Sequence, residues 1–222
     1  MLPLKKVVIN SDLRGATSTT EVELTYVNPL VDQPLECTYT FPLDKNTVLA
    51  KFDAIIDDRV VYTKVTEKEK AKEQYDDAVA GGKAAVLAER SSKKEETLTV
   101  KLGNLLPGQT ATLKSTIIGQ LEVVAGHYAY ILPVAFYPDY KKHGVKQKNA
   151  FVYEFSYNVR IHAKHRVVSL SVPENAEITP QNEGRTEMLV SCSQPSRTVD
   201  LYYKDADMLI PSLHYARVPD SD

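Results

Sequence analysis

The sequence is poor in cysteine, which limits the covalent and metal-based frameworks it can contain. Only Cys37 and Cys192 occur in its 222 residues, and they lie far apart in the chain. A cysteine-rich disulfide framework and a cysteine-ligated zinc site are therefore excluded. Two inert, buried thiols or one long-range disulfide both stay open as readings of the pair.

Long apolar runs and processing signals are also missing. No apolar stretch approaches the roughly 18 residues that a membrane-spanning helix needs. Residues 1–6 are too short and too charged for a signal peptide, and no Asn-x-Ser/Thr glycosylation acceptor occurs. These absences favour a cytoplasmic protein without a membrane span, with a secreted protein as the alternative.

The chain has no marked excess of charge of either sign. Its 27 Lys and Arg residues nearly balance 29 Asp and Glu residues, for a net charge of −2. Such a balance lacks the basic footprint of a general nucleic-acid-binding protein. A hydrophobic fraction of 43% is enough for a real core, and the length suits one large domain or two small ones.

Recognisable catalytic motifs are absent as well. The sequence has no HExxH, GxSxG, GxGxxG or GxxxxGK[ST] pattern, and the acidic pairs Asp57-Asp58 and Asp76-Asp77 lack the spacing of a calcium loop. His162 and His165 are three apart across a predicted strand and loop, so they should point to different faces. We therefore expect no enzyme and no catalytic, cofactor-binding or metal-binding residues, although a spatial pair of glycosidase carboxylates is left open.

What the sequence does contain is a repeated strand pattern. About a dozen short runs alternate with period two and are separated by turn residues, which is typical of an all-β, antiparallel β-sandwich. In the longest run, residues 151–161, four aromatic and two aliphatic side chains line one face. A loop-like stretch after Pro133 divides a predicted first domain, residues 1–142, from a smaller β-rich unit, residues 150–210.

One segment, residues 67–80, predicts a single surface helix. Thr66 and Glu69 have the spacing of a capping box, and Gly81-Gly82 supplies a left-handed stop. Tyr75 belongs to a narrow apolar stripe and should insert into the sandwich. The opposite face is a candidate docking surface, or alternatively a solvated cover for one end of the sandwich. Its residues are Glu69, Lys72, Glu73 and Asp76.

Several motifs in the first 140 residues resemble one known family. They are Leu2-Pro3-Leu4, Phe41-Pro42-Leu43-Asp44, Phe52-Asp53-Ala54, the helix from Glu67 to Ala78 with its double glycine, Gly103-Asn104-Leu105, Pro107-Gly108-Gln109 and Tyr137-Pro138-Asp139-Tyr140. Together they resemble the VIT domain, the vault protein and inter-alpha-trypsin inhibitor domain. Beside the resemblance, Pro107-Gly108 fits a type II turn on physical grounds alone.

The resemblance implies a non-catalytic interaction or scaffold module, with a protein partner that the sequence does not name. In the family this domain usually precedes a von Willebrand factor type A domain, so contacts to a downstream type A domain are expected in a longer protein. The DxSxS metal loop of that domain is absent here. The alternatives are a secreted, matrix-associated module of the inter-alpha-trypsin inhibitor heavy-chain type and a carbohydrate-binding sandwich.

Overall fold

The architecture was determined from a computed structural model, which describes residues 4–42, 46–57, 59–62, 76–82, 85–90, 97–133, 153–194 and 198–208. Fifteen strands and one short helical segment lie within these ranges, so the predicted all-β class is confirmed. Residues 76–80 are helical. The rest of the predicted helix, with Thr66, Glu69, Lys72, Glu73 and Tyr75, lies outside the described residues.

The strands have the following bounds. The first eight are β1 (Leu4–Arg14), β2 (Thr17–Val27), β3 (Leu35–Pro42), β4 (Thr47–Ile56), β5 (Arg59–Tyr62), β6 (Ala85–Arg90), β7 (Thr97–Leu105) and β8 (Thr110–Gln120). The remaining seven are β9 (Glu122–Val124), β10 (His127–Pro133), β11 (Glu154–His162), β12 (Val167–Ser171), β13 (Glu177–Pro180), β14 (Glu187–Cys192) and β15 (Thr198–Asp205).

The strands form three sheets. An eight-stranded sheet has the order β13-β14-β11-β1-β2-β8-β4-β5, a four-stranded sheet the order β12-β15-β10-β9, and a three-stranded sheet the order β3-β7-β6. Every pairing is antiparallel except that of β1 with β11, which is parallel, with Lys6 opposite Glu154 and Arg14 opposite His162. Strand β1 therefore lies in the middle of the largest sheet, beside a strand that follows it by about 140 residues in the chain.

Strands from both predicted sequence units share the two larger sheets. β11 lies between β1 and β14, and β15 pairs with β10 from Tyr128 to Pro133. The apolar stripe predicted for residues 151–161 explains this position, because Phe155, Tyr157, Val159 and Ile161 are each at most 5% exposed. At about 25 cal/mol per Å² of apolar surface, that stripe has to be covered on one face by a second layer.

The core lies between the eight-stranded and the four-stranded sheet. One cluster of buried side chains joins Ile9 and Leu24 of the larger sheet to Leu132, Leu201 and Tyr203 of the smaller one. Alternation explains the packing, since successive residues of a strand point to opposite faces. In β1 the odd-numbered residues from 7 to 13 turn inward, and in β2 the even-numbered residues do so. The residues between them turn outward onto the free face of the eight-stranded sheet.

Candidate interaction surface

The helix that carries the predicted docking surface is described only at its carboxyl end. Asp76, one of the four predicted surface residues, is exposed on the helical segment 76–80. The segment ends through two backbone hydrogen bonds, in which Gly81 donates to the Asp77 carbonyl at 2.9 Å and Gly82 donates to the Val79 carbonyl at 3.0 Å. Gly82 has a φ of +72° with open space around its Cβ position, so the backbone conformation and not crowding favours glycine there.

The Pro-Gly motif lies in the turn between β7 and β8. Gln109 donates its backbone N–H to the Leu106 carbonyl at 3.1 Å, and Gly108 between them has a φ of +73°. Proline at the second position and glycine with positive φ at the third are the residues that a type II turn requires. Pro107 and Gly108 therefore set the course of the chain into β8.

Asn28 connects this turn to the neighbouring loop. Its side-chain Nδ2 donates to the Leu105 carbonyl at 2.8 Å and to the Gln33 carbonyl at 3.0 Å, and its Oδ1 accepts from the Leu30 N–H. The Asn28 carbonyl also accepts from the Gly108 N–H. Because Asn28 is only 1% exposed, these bonds satisfy a buried amide. Asn28 thus links the Gly-Asn-Leu and Pro-Gly motifs, and its hydrogen bonds to them are called the Asn28 joint below.

The free face of the eight-stranded sheet carries two neighbouring depressions. A groove of about 270 Å³ crosses β11, β1 and β2, and all five residues that line it have polar or charged side chains. The lining residues are Asn10, Asp12, Thr19, Glu21 and Arg160. A second depression of about 160 Å³ adjoins it over β2, β8 and β4 and shares Asn10 and Glu21. Both are open to solvent, as suits contact with a macromolecule more than enclosure of a small ligand.

Cross-strand contacts hold several side chains of this face in place. Glu23 pairs with Lys114 at 2.8 Å across β2 and β8, and Asn158 donates to the Asn10 side-chain oxygen at 3.1 Å across the parallel β1–β11 seam. Glu21 and Arg160, at opposite walls of the groove, make no ion pair with any residue that the structure describes. Their charges are therefore available to a partner.

The amino-terminal part of this surface was not identified from the sequence. The alternation of Glu21 and Glu23 with apolar residues indicates the outer face of β2, and the same pattern places Arg160 and His162 outside on β11. The outward position of Asn10 and Asp12 is harder to predict, because apolar and polar residues alternate over only a few positions of β1. That β1 and β11 are neighbours depends on a contact between distant residues, which local periodicity does not contain.

The two histidines considered as metal ligands are separate. His162 Nε2 contacts Asp12 Oδ1 at 3.0 Å on the groove side, whereas His165 Nδ1 contacts Asp207 Oδ2 at 3.2 Å near the end of β15. Over the described ranges, no group of three or more His, Cys, Asp or Glu side chains is arranged to hold a metal ion. Within the same ranges, no helix has the length and apolar character needed to cross a membrane.

Comparison with known families decides which family the motifs and the sheet arrangement represent. The model of the vault protein inter-alpha-trypsin (VIT) domain matches residues 4–117, which include β1, β2 and the Asn28 joint. The chain belongs to the VIT family. The resemblance seen in the sequence motifs is confirmed.

Relatives of this VIT chain include longer proteins named for a von Willebrand factor A domain. The human von Willebrand factor A domain-containing protein 5A is 27% identical over 144 residues, which is 64% of this chain and 18% of that protein. A von Willebrand factor A domain-containing protein of Dictyostelium discoideum is 30% identical over 171 residues, 77% of this chain and 16% of that protein. The chain thus spans less than a fifth of these relatives, in which the VIT region is one module among others.

A solved structure has a related fold. A putative nutrient-binding protein from Legionella pneumophila superposes with a TM-score of 0.54 over 94% of this chain and 68% of that chain, with 9% sequence identity. At this identity the likeness concerns the fold alone. It extends over nearly the whole chain, well beyond the residues matched by the VIT family model.

Proposed function

We propose that this VIT chain is a non-catalytic protein–protein interaction module, and that it docks on a type A domain through the free face of its eight-stranded sheet. The observation that carries the proposal is the polar groove on that face, where Glu21 and Arg160 have no ionic partner of their own among the described residues. The relatives support the choice of partner, because they carry a von Willebrand factor A domain in the same protein.

The charge distribution of the face suits a polar, selective contact. Acidic residues lie in the middle, at Asp12, Glu21 and Glu23, with Arg160 on one side and Lys114 on the other. A partner with the complementary order of charges is oriented by this pattern and associates faster because of it. The fixed pairs on the face reduce the side-chain ordering that binding would otherwise require.

The cellular setting belongs to the same proposal. Two cysteines and no glycosylation acceptor fit a protein that works in the cytoplasm. The candidate helix surface at Glu69, Lys72, Glu73 and Asp76 is a second contact region to be compared with the sheet face. Charge reversal at Asp76 is the practical probe, since its exposed position is described.

Calorimetric titration of the full chain with the type A domain of the human relative tests the proposal. Glu21→Lys and Arg160→Glu should each weaken binding by roughly tenfold or more, because each places a like charge against the partner. Glu183→Lys, in the exposed loop between β13 and β14, is the matched control and should bind as the wild type does. Absence of binding, or equal weakening by the control, would count against the sheet face.

A further inference from the structure

One nitrogen of His162 faces a hydrogen-bond donor and an acceptor at the same time. His162 Nε2 lies 3.0 Å from Asp12 Oδ1 and 3.4 Å from Arg14 Nη2. The carboxylate can only accept, and the guanidinium can only donate. All three residues belong to the parallel β1–β11 seam, where Arg14 is directly opposite His162 in the register.

The two contacts require different protonation of the imidazole. When Nε2 carries a hydrogen, it donates to Asp12 and cannot accept a hydrogen bond from Arg14. When the neutral ring carries its hydrogen on Nδ1, the free Nε2 accepts from Arg14, and the bond to Asp12 is lost. The arrangement therefore has two exclusive hydrogen-bond states that share nearly the same side-chain positions.

The surrounding charges come from three strands. Asp12 and Arg14 face His162 from β1, Arg160 precedes it on β11, and Glu187 lies opposite it on β14. Glu187 makes no ion pair with His162, so the direct competition is between Asp12 and Arg14. The imidazole side chain is 25% exposed and that of Asp12 is 41% exposed, so water can exchange the proton.

We propose that His162 is a two-position proton switch that decides whether Asp12 is available in the groove. When the ring is protonated, charged His162 holds the Asp12 carboxylate and releases Arg14. When the ring is neutral, Arg14 holds His162, and Asp12 is free to bind a cationic side chain of a partner. The switch stands on the geometry of the seam, while its effect on docking rests on the proposed function.

Nitrogen NMR of the full chain with ¹⁵N-labelled histidine tests the switch without a partner, because two-bond couplings identify which ring nitrogen carries the hydrogen. In the neutral ring, which the nitrogen shifts themselves identify, the wild type should show His162 with hydrogen on Nδ1. Arg14→Met keeps the alkyl stem but removes the donor, so the neutral ring should change to hydrogen on Nε2 in order to reach Asp12. Arg160→Met removes a nearby cation that does not contact the ring, and should leave the wild-type form.

Two outcomes overturn the switch: neutral wild-type His162 with its hydrogen on Nε2, or an Arg14→Met chain with the wild-type form. The docking arm is measured separately, by titrating the type A domain into the wild type and into Asp12→Asn above and below the imidazole range. Loss of affinity in acid that Asp12→Asn abolishes supports the coupling to docking. Lack of binding at every pH contradicts the proposed function and leaves the NMR result to decide the switch.

Discussion

The phenolic oxygen of Tyr130 lies 2.7 Å from the hydroxyl oxygen of Ser11, so a polar bond joins the two larger sheets inside the core. Thr20 completes the contact at 2.9 Å from the same phenol. All three residues are at most 4% exposed. In a low-dielectric interior such a closed hydroxyl network fixes how one sheet lies on the other.

Removing the Tyr130 hydroxyl should therefore destabilise the protein. Tyr130→Phe leaves Ser11 and Thr20 with one fewer partner, and we expect a loss of about 1–2 kcal/mol in the free energy of unfolding. Urea denaturation measures it. Tyr157→Phe is the matched control, because the buried Tyr157 hydroxyl has no hydrogen-bond partner in the described structure. That change should be neutral or stabilising, and equal losses in the two variants would refute the role of the network.

Alkaline solution should destabilise the fold through the same kind of residue. Burial raises the pKa of Tyr157 to about 12, with a smaller contribution from Cys192. The ordinary tyrosine pKa is about 10, so the unfolded chain loses its proton first. The stability due to neutral Tyr157 is thus fully present below about pH 10 and is lost as the pH rises toward about 12.

The measurement is a series of urea midpoints between about pH 9 and pH 12. Tyr157→Phe should show a shallower fall than the wild type, because it removes one of the groups whose ionisation favours unfolding. Burial also raises the pKa of Tyr130 and of Tyr203, so part of the fall should persist in the variant. Superimposable curves for wild type and variant would show that folding does not raise the pKa of Tyr157.

The turn at Gly108 gives a prediction about backbone conformation. Gly108→Ala forces an L-residue into the left-handed region at a φ of +73°, where no atom lies within contact distance of the new Cβ. We expect a cost of about 1–2 kcal/mol from conformation alone. Gly108→Asn should cost less, since asparagine tolerates that region. Thermal denaturation of the two variants distinguishes them, and equal destabilisation would implicate the side chain instead.

The predicted division into residues 1–142 and 150–210 can be tested by truncation. A chain of residues 1–142 lacks β11 and β15. It therefore exposes the edge of β1 that pairs with β11 and the edge of β10 that pairs with β15. We expect it to melt well below the full chain or without a cooperative transition, whereas the full chain should unfold in one step. An unchanged melting temperature, with separate unfolding of the second segment, would support two independent domains.

Local features of the fold were readable from the sequence because they depend on neighbouring residues. The alternation of Phe155, Tyr157, Val159 and Ile161 predicts a half-buried strand, and the structure places it inside the largest sheet. The turn residues Pro107 and Gly108 likewise carry their conformation with them. By contrast, β13 is exposed at every position, so it has no alternation to detect.

Contacts between distant residues were not readable in this way. The pairing of β1 with β11, and the Asp12–His162 contact that follows from it, join residues separated by most of the chain. Period-two patterns show which face of each strand is buried, but many strand orders satisfy the same faces. The groove was missed for that reason, because its walls come from β1, β2 and β11 and exist only once these strands are adjacent.

The central position of β1 also has a consequence for synthesis on the ribosome. β1 is translated just before β2 and can pair with it at once, yet its second edge has no native partner until Glu154–His162 has been translated. At about 5–20 residues per second, that edge stays open for roughly 7–30 s. An unpaired strand edge with an apolar face is a site for aberrant association. The nascent chain should therefore depend on chaperones throughout this interval, and translation pauses before residue 154 should lower the yield of folded protein.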